Sequence, residues 1–401
     1  MSKHYLFFTR NPLPQPNVAS LVQVVHSANA AANLGYSTVL AYLDSAVGKF
    51  KPTQFFQPFQ PQQPPSELIQ YYNIQDQLKV APLPLPWPIN AQWGGKWTHP
   101  STLISKYYLP FYLRPKTQIV HTRDWNFAKA AIQNGVPVIY EQHHYSEKKF
   151  PAEIVRSPLF QIAVTVADTV KDHLIAQGMP EEKTIKLHNG FNYSFIQRYE
   201  EAAAALRQTL ILENRQHLVV YSGGLHSFKG VDLLITVAKA LPAIQFVFAG
   251  GSPEKVTAYQ QQAQDQQADN VTFLGYIPQS KLAVLLQAAD VLAHPHLLTN
   301  AATFTSPLKF FDYLASGTPI AASEIPPLRE FQAANIAVGW CEPDNPSSFA
   351  DCIQRVLSTY PRRVGGYPET IEFAGQFSCE NRIATILSYV DEGMKPQHLK
   401  P

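Results

Sequence analysis

Apolar positions along the chain fall into two alternating kinds of run. Short unbroken runs stand at 5–9, 37–42, 119–123, 136–140, 160–166 and 185–187. Between them, at 18–34, 100–113, 125–133 and 168–177, apolar residues recur at helical spacing. A short unbroken run reads as a buried strand, and strand–helix–strand order predicts a parallel sheet with right-handed crossovers. The turn signal Asn189-Gly190 closes this first unit of six strands. The pattern then restarts, with strands at 217–221, 245–249, 271–274, 291–294 and 319–322. Helices are expected at 231–241, 253–267, 279–288, 306–316, 347–358 and 379–392. The expectation is therefore an α/β chain of two units, 1–190 and 216–377. A polar, Ala-containing linker at 191–215 joins them, and a last helix at about 378–393 packs back onto the first unit. Two stretches, 51–65 and 80–88, are rich in Pro and are expected to be irregular surface segments, since Pro has no N–H for a ladder.

Composition narrows the class. The three cysteines, Cys341, Cys352 and Cys379, are sparse, odd in number and without metal-ligand spacing. They argue for a reducing compartment rather than a disulfide framework. No run reaches the roughly 18 apolar residues that cross a bilayer, and residues 1–10 lack the shape of a signal peptide. The protein is expected in the cytoplasm, with the inner face of the membrane as a further location. Net charge is +2 but unevenly spread: residues 1–190 hold 17 Lys and Arg against 11 Asp and Glu, and residues 191–401 hold 15 against 19. A basic first half suits an anionic partner, such as a membrane surface or a phosphorylated lipid, and suits equally well an acidic second half of the same chain. Its basic density is far below that of a nucleic-acid binder.

Three stretches carry candidate chemistry. Residues 306–323 open with Ser306-Pro307, a capping hydroxyl followed by Pro in the first turn, and close at Gly317 with Pro319 beyond it. Asp312 sits among the apolar positions of this helix. By pattern it is either a solvated position or a buried acid that needs a hydroxyl or cationic partner. Upstream, Ser222-Gly223-Gly224 lies between a strand and a helix, with Lys229 just before that helix begins. Such a turn lets backbone N–H groups approach an anion, the helix N-terminus adds positive potential, and Lys229 can act as a point charge on phosphate. In the first half, the strand ending at Tyr140 runs into Glu141-Gln142-His143-His144. Polar residues just past strand carboxyl ends are where open α/β sheets bind ligands.

These pieces resemble, in order, glycosyltransferase family 4. The segments are Gly223-Gly224-Leu225 with Lys229-Gly230-Val231, Phe246 to Gly251, Val271 to Pro278, Ala289-Asp290-Val291, Ser306 to Ser323 and Phe377 to Arg382. Residues 306–309 are similar to the subgroup with Ser-Pro-Leu-Lys before its donor helix, and Cys379 stands where Trp is usual. The resemblance implies a GT-B fold, two Rossmann-like domains facing across a cleft, the first for the acceptor and the second for the donor. It implies a retaining, metal-independent hexosyltransferase with no cofactor beyond its substrate, a nucleoside diphosphate sugar such as a UDP- or GDP-sugar. The acceptor would be a saccharide or lipid-linked glycan, in polysaccharide, glycolipid or other glycoconjugate synthesis. By position, Asp312 would accept the ribose hydroxyls and Lys229 would neutralise the departing diphosphate. Gly223, Gly224, Ser306 and the backbone of Leu308 and Lys309 would surround that diphosphate, Tyr276 and Ile277 the base. His143 would lie near the transferred sugar, and Asn189-Gly190 matches an interdomain element. Two departures stand out. Phe304 replaces the acid that holds the sugar hydroxyls, leaving Asn300 and Thr303 as candidate sugar contacts, and Gly224 replaces an Arg, leaving one phosphate cation. Arg10 or Arg123 is the expected substitute cation. The departures motivate the alternative of a degenerate GT-B protein that binds nucleotide, or a partner glycosyltransferase, without catalysis.

Overall fold

The computed structural model describes residues 3–15, 18–44, 54, 56–75, 77–85, 99–212, 215–303 and 306–399. The chain forms two compact units, residues 1–188 with 379–401, and residues 189–378. The first is a parallel seven-stranded sheet of order β3-β2-β1-β4-β5-β6-β7. Its strands are β1 His4–Thr9, β2 Thr38–Asp44, β3 Lys79–Pro84, β4 Thr117–Thr122, β5 Val138–Glu141, β6 Phe160–Thr165 and β7 Thr184–Lys186. Unlike the irregular segment expected at 80–88, β3 pairs along β2 as the edge strand. On its outer side Val80 bonds Gln62. Pro82 and Pro84 follow at alternate positions, so their missing N–H groups fall on that outer side, where an edge strand tolerates them. Helices Ala19–Asn33 and Cys379–Ser388 contribute to one apolar core of this unit, with Cys379 buried in it. The helical segment at 100–113 widens to π geometry over Ile104–Leu113, with Pro110 inside it.

The second unit is a parallel six-stranded sheet of order β10-β9-β8-β11-β12-β13. Its strands are β8 His217–Ser222, β9 Ile244–Ala249, β10 Val271–Gly275, β11 Val291–His294, β12 Ile320–Ser323 and β13 Val338–Cys341. Alternate residues of β8 enter opposite cores: Leu218 and Val220 one, Val219 and Tyr221 the other. The sheet is thus covered on both faces, which is why its strands are apolar runs without alternation. β13 has no counterpart in the expected pattern, although Val338-Gly339-Trp340-Cys341 is an apolar run interrupted only by Gly339. The stretch 191–215 is part of this unit rather than a linker: helix Glu200–Leu210 packs against it, and Arg207 Nη1 meets Asp290 Oδ2 at 2.5 Å. Among the described residues no helix is long and apolar enough to cross a membrane.

Candidate functional site

In the second unit the carboxyl ends of β8 and β11 and the N-terminus of helix Leu308–Ser316 build one basic site. β8 runs into Gly223, whose φ of 140° is open only to glycine; a Cβ there would lie 2.9 Å from the Lys309 ammonium. Tyr221 holds the loop by donating its hydroxyl to the Gly224 carbonyl at 3.0 Å. Lys229 follows in a short turn, and its Nζ is 3.8 Å from where a Gly224 Cβ would be. Gly230 then begins helix Val231–Ala240 with φ 73°, and any side chain at 230 would strike the Pro295 carbonyl, 1.7 Å away.

The side chain of Lys309 is the feature that sequence reasoning missed. The residue entered only as a backbone N–H, with Arg10 or Arg123 as the second cation. Its side chain instead reaches the Gly223 turn, with Nζ 4.0 Å from the Tyr221 ring centroid. Burial, then the charge of Lys229, hold its ammonium well below the usual lysine range, with Asp312 pulling the other way. Burial and Lys255 lower Lys229 as well. Neither ammonium makes an ion pair or hydrogen bond among the described residues; each lies over an aromatic ring, Phe228 for Lys229 and Tyr221 for Lys309. Two desolvated ammonium groups near one glycine turn, with no carboxylate bonded to either among the described residues, have the electrostatics of an anion-binding site. The Leu308 and Lys309 N–H groups, at the positive end of their helix, lie in its unpaired first turn.

Asp312 stands one turn beyond Lys309. Burial pushes its carboxyl up to about 7, opposed by Lys309, and no side-chain hydrogen bond from a described residue satisfies it. The hydroxyl partner expected for a buried acid is therefore absent among the described residues, so hydroxyl donors on a ligand would favour the carboxylate form. His294, which the sequence offers only as the start of the loop to Thr305, ends β11 with 1 % exposure and, among the described residues, no hydrogen-bond partner for either ring nitrogen. Burial, then Lys309 and His296, keep it neutral. An imidazole ending an apolar strand was the available signal. Tyr313, from the same helix as Lys309, accepts the Ser222 N–H at 2.8 Å and so fixes the helix to β8.

The other sequence candidates fall into place unevenly. Ser306 does not cap the helix; Pro307 takes the cap position without a side-chain bond. The Ser306 hydroxyl accepts from the Asn189 N–H at 3.0 Å, and its carbonyl accepts from the Asn189 amide at 2.7 Å. Tyr276 and Ile277 follow the end of β10; Tyr276 is exposed and Ile277 packs on the core. Asn300 opens a short turn ending at Thr303. The side chain of Thr303, and Phe304 itself, lie outside the described residues.

The first unit has its own polar centre. The Glu141 carboxylate, at the end of β5, accepts from His121 Nε2 at 2.7 Å, His143 Nε2 at 2.6 Å and Arg382 Nη1 at 2.8 Å. Tyr5 completes it at 2.8 Å from His121 Nδ1. Despite burial, Arg382 and the two imidazoles hold the Glu141 carboxyl well below the usual range. Burial, with Arg123 adding, drops His143 to about 3. His143 is thus a neutral imidazole whose Nε2–H is committed to Glu141 and whose Nδ1 remains an acceptor.

Residues 203–365 match the model of the family described as glycosyl transferases group 1. An uncharacterized glycosyltransferase of Methanocaldococcus jannaschii is 26 % identical over 206 residues, 49 % of this chain and 51 % of that protein. A D-inositol 3-phosphate glycosyltransferase of Mycobacteroides abscessus is 26 % identical over 67 % of this chain and 65 % of its own length. The chain thus spans about half to two thirds of these curated relatives. Among solved structures, sucrose-phosphate synthase of Thermosynechococcus elongatus superposes with a TM-score of 0.68 at 16 % identity, covering 96 % of this chain and 97 % of that one. HepE of Anabaena, solved with UDP and glucose, gives 0.63 at 16 % identity, covering 96 % and 99 %. The fold of the two Rossmann-like domains is that of the GT-B glycosyltransferases.

Proposed function

We propose that the chain is a retaining glycosyltransferase of the family 4 type, moving a hexosyl unit from a nucleoside diphosphate sugar to an acceptor hydroxyl. The observation that carries this reading is the pair Lys229 and Lys309, both desolvated, without a paired carboxylate among the described residues and set at a glycine turn beside a helix N-terminus. A diphosphate supplies the charge they lack, and ribose hydroxyls supply donors to Asp312. Tyr276 and Ile277 would border the base. As the bond from the anomeric carbon to the diphosphate breaks, negative charge grows on the leaving oxygen, where the two ammonium groups and helix N–H groups stabilise it. The new bond forms to the acceptor hydroxyl, whose proton passes to the departing phosphate. His143, neutral and fixed by Glu141, would orient sugar or acceptor through Nδ1. Asn300 and Thr303 would contact the sugar, and the Ser-Pro-Leu-Lys helix would mark the subgroup. No metal enters this scheme, and the protein would work in the cytoplasm or at the membrane's inner face.

The test is calorimetry with UDP and GDP, followed by donor hydrolysis across a panel of nucleotide sugars. Failure of every nucleotide to bind, with Lys229→Ala changing nothing, would sink the reading. One observation favours a second reading: Phe304 in place of the sugar-holding acid. Tight nucleotide binding without turnover of any donor would select a non-catalytic GT-B protein. The other motive for that reading, the glycine at 224, is weakened by Lys309.

A further inference from the structure

A second basic concavity lies within the first unit. A cavity of about 540 Å³ opens at the carboxyl ends of β1, β4 and β5, the edge where parallel sheets bind ligands. Its apolar wall includes Phe8, Leu21 and Trp125, and its charged lining is cationic apart from Asp124: Arg10, Arg123, Lys129, Lys148 and Lys149, with neutral polar groups such as Asn11 and Asn126 between them. Asp124 is the single acid among the described lining residues. It is largely occupied, because Oδ1 accepts the Phe127 N–H at 3.0 Å as a helix cap, while Oδ2 is 4.0 Å from Arg10 Nε. One carboxylate thus faces five cations. The Arg123 guanidinium has five N–H donors to satisfy, and the described residues give it a single 3.4 Å contact, to the Ser20 carbonyl. The cations also act on one another: burial, then Arg10, Arg123 and Lys129, lower Lys148 against the pull of Asp124. His144 is lowered by burial, Arg123 and Lys148, so it lines the pocket as a neutral group.

We infer that this pocket binds the phosphate ester of an anionic acceptor. The inference rests on the glycosyltransferase reading for the word acceptor, and on the pocket alone for the phosphate. A phosphate monoester brings close to two negative charges and three acceptor oxygens. That matches an arginine fork flanked by lysines better than a carboxylate does. The volume is that of a small-molecule site, so it takes a phosphorylated sugar or polyol, or the headgroup of a phosphorylated lipid.

The experiment uses the full chain with UDP at saturation, so that Lys229 and Lys309 are occupied. Glycerol 1-phosphate is titrated by calorimetry, with glycerol and glucuronate as controls. Phosphatidylcholine vesicles with and without phosphatidate are tested by co-flotation. The expected result is phosphate-ester binding at least tenfold tighter than glucuronate, weakened at least tenfold in Arg123→Gln/Lys148→Gln and falling with added salt. Binding of the free ester alone assigns a soluble acceptor; flotation abolished by the same double variant assigns a lipid headgroup. If the double variant has lost its thermal transition, Lys148→Gln/Lys149→Gln, on the loop after β5, replaces it. The inference is overturned if neither probe binds UDP-loaded protein, if glucuronate binds as well, or if the variants bind undiminished. Binding of UDP in the same samples reports the donor reading separately: UDP bound without phosphate ester refutes the pocket, and no UDP bound refutes the donor site.

Discussion

Replacing Lys309 by Met should move stability and affinity in opposite directions. The ammonium of this half-buried side chain lies over the Tyr221 ring, near Lys229 and with no carboxylate bonded to it among the described residues. In the ligand-free protein its charge is therefore a cost, and an unbranched apolar side chain of similar reach keeps the packing on Tyr221 while removing that cost. Once a diphosphate is bound, the same ammonium makes a charge-assisted hydrogen bond of about 1.5–3 kcal/mol. At about 1.4 kcal/mol per tenfold, its loss weakens UDP by roughly 10- to 150-fold. Calorimetry with UDP and with uridine, and thermal unfolding without ligand, measure the three quantities. The expected pattern is a higher apo melting temperature, a large loss of UDP affinity and an unchanged affinity for uridine. A Lys309→Met protein that melts lower than the parent, or binds UDP within threefold of it, would refute the claim that this lysine is an unpaired phosphate ligand.

Three further outcomes follow from the same geometry. Asp312 is raised to about 7 in the fold from an ordinary value of 3.8, so its contribution to apo stability is full below pH 3.8 and lost as pH rises through 7. Asp312→Asn should remove that slope from a chemical-denaturation series between pH 4 and 8, and should also abolish the tightening of UDP expected above pH 7. Glu141→Gln strips the charge that Arg382 and two histidines share, leaving a buried guanidinium unpaired; urea denaturation should show a loss of about 3–5 kcal/mol. His143, depressed to about 3, is neutral throughout the working range. A kcat/KM profile should accordingly show no limb near pH 6.5 from this residue, whereas His143→Ala should lower kcat; a limb that vanishes in the variant would contradict its neutral role.

Much of the architecture is legible along the chain because both sheets are parallel and covered. Their strands stand as apolar runs that helical spacing separates, so β8, β9 and helix Val231–Ala240 are found within a residue or two. β3 escapes detection because its prolines forbid a strand everywhere except on an edge, and nothing local says where the edge is. Helix Glu200–Leu210 reads as a linker because only two of its residues, Ala203 and Leu210, are buried. The glycine turn, Lys229 and the acid at 312 are visible as a pattern, since backbone demands leave residue types behind them. The direction of the Lys309 side chain leaves no such mark. Seventy-nine or so residues separate it from Lys229, roughly the length of half a domain, and only the β8–β11 pairing and the Tyr313–Ser222 bond bring its helix to the Gly223 turn. The same holds for the five cations of the first unit's pocket, four of which follow three separate strands while Lys129 comes from helix Trp125–Gln133. The residue types that can bind an anion are thus a property of the sequence. Which of them converge, and which are left without a counter-charge, is decided by sheet order, because unpaired charge is a relation between groups distant in the chain.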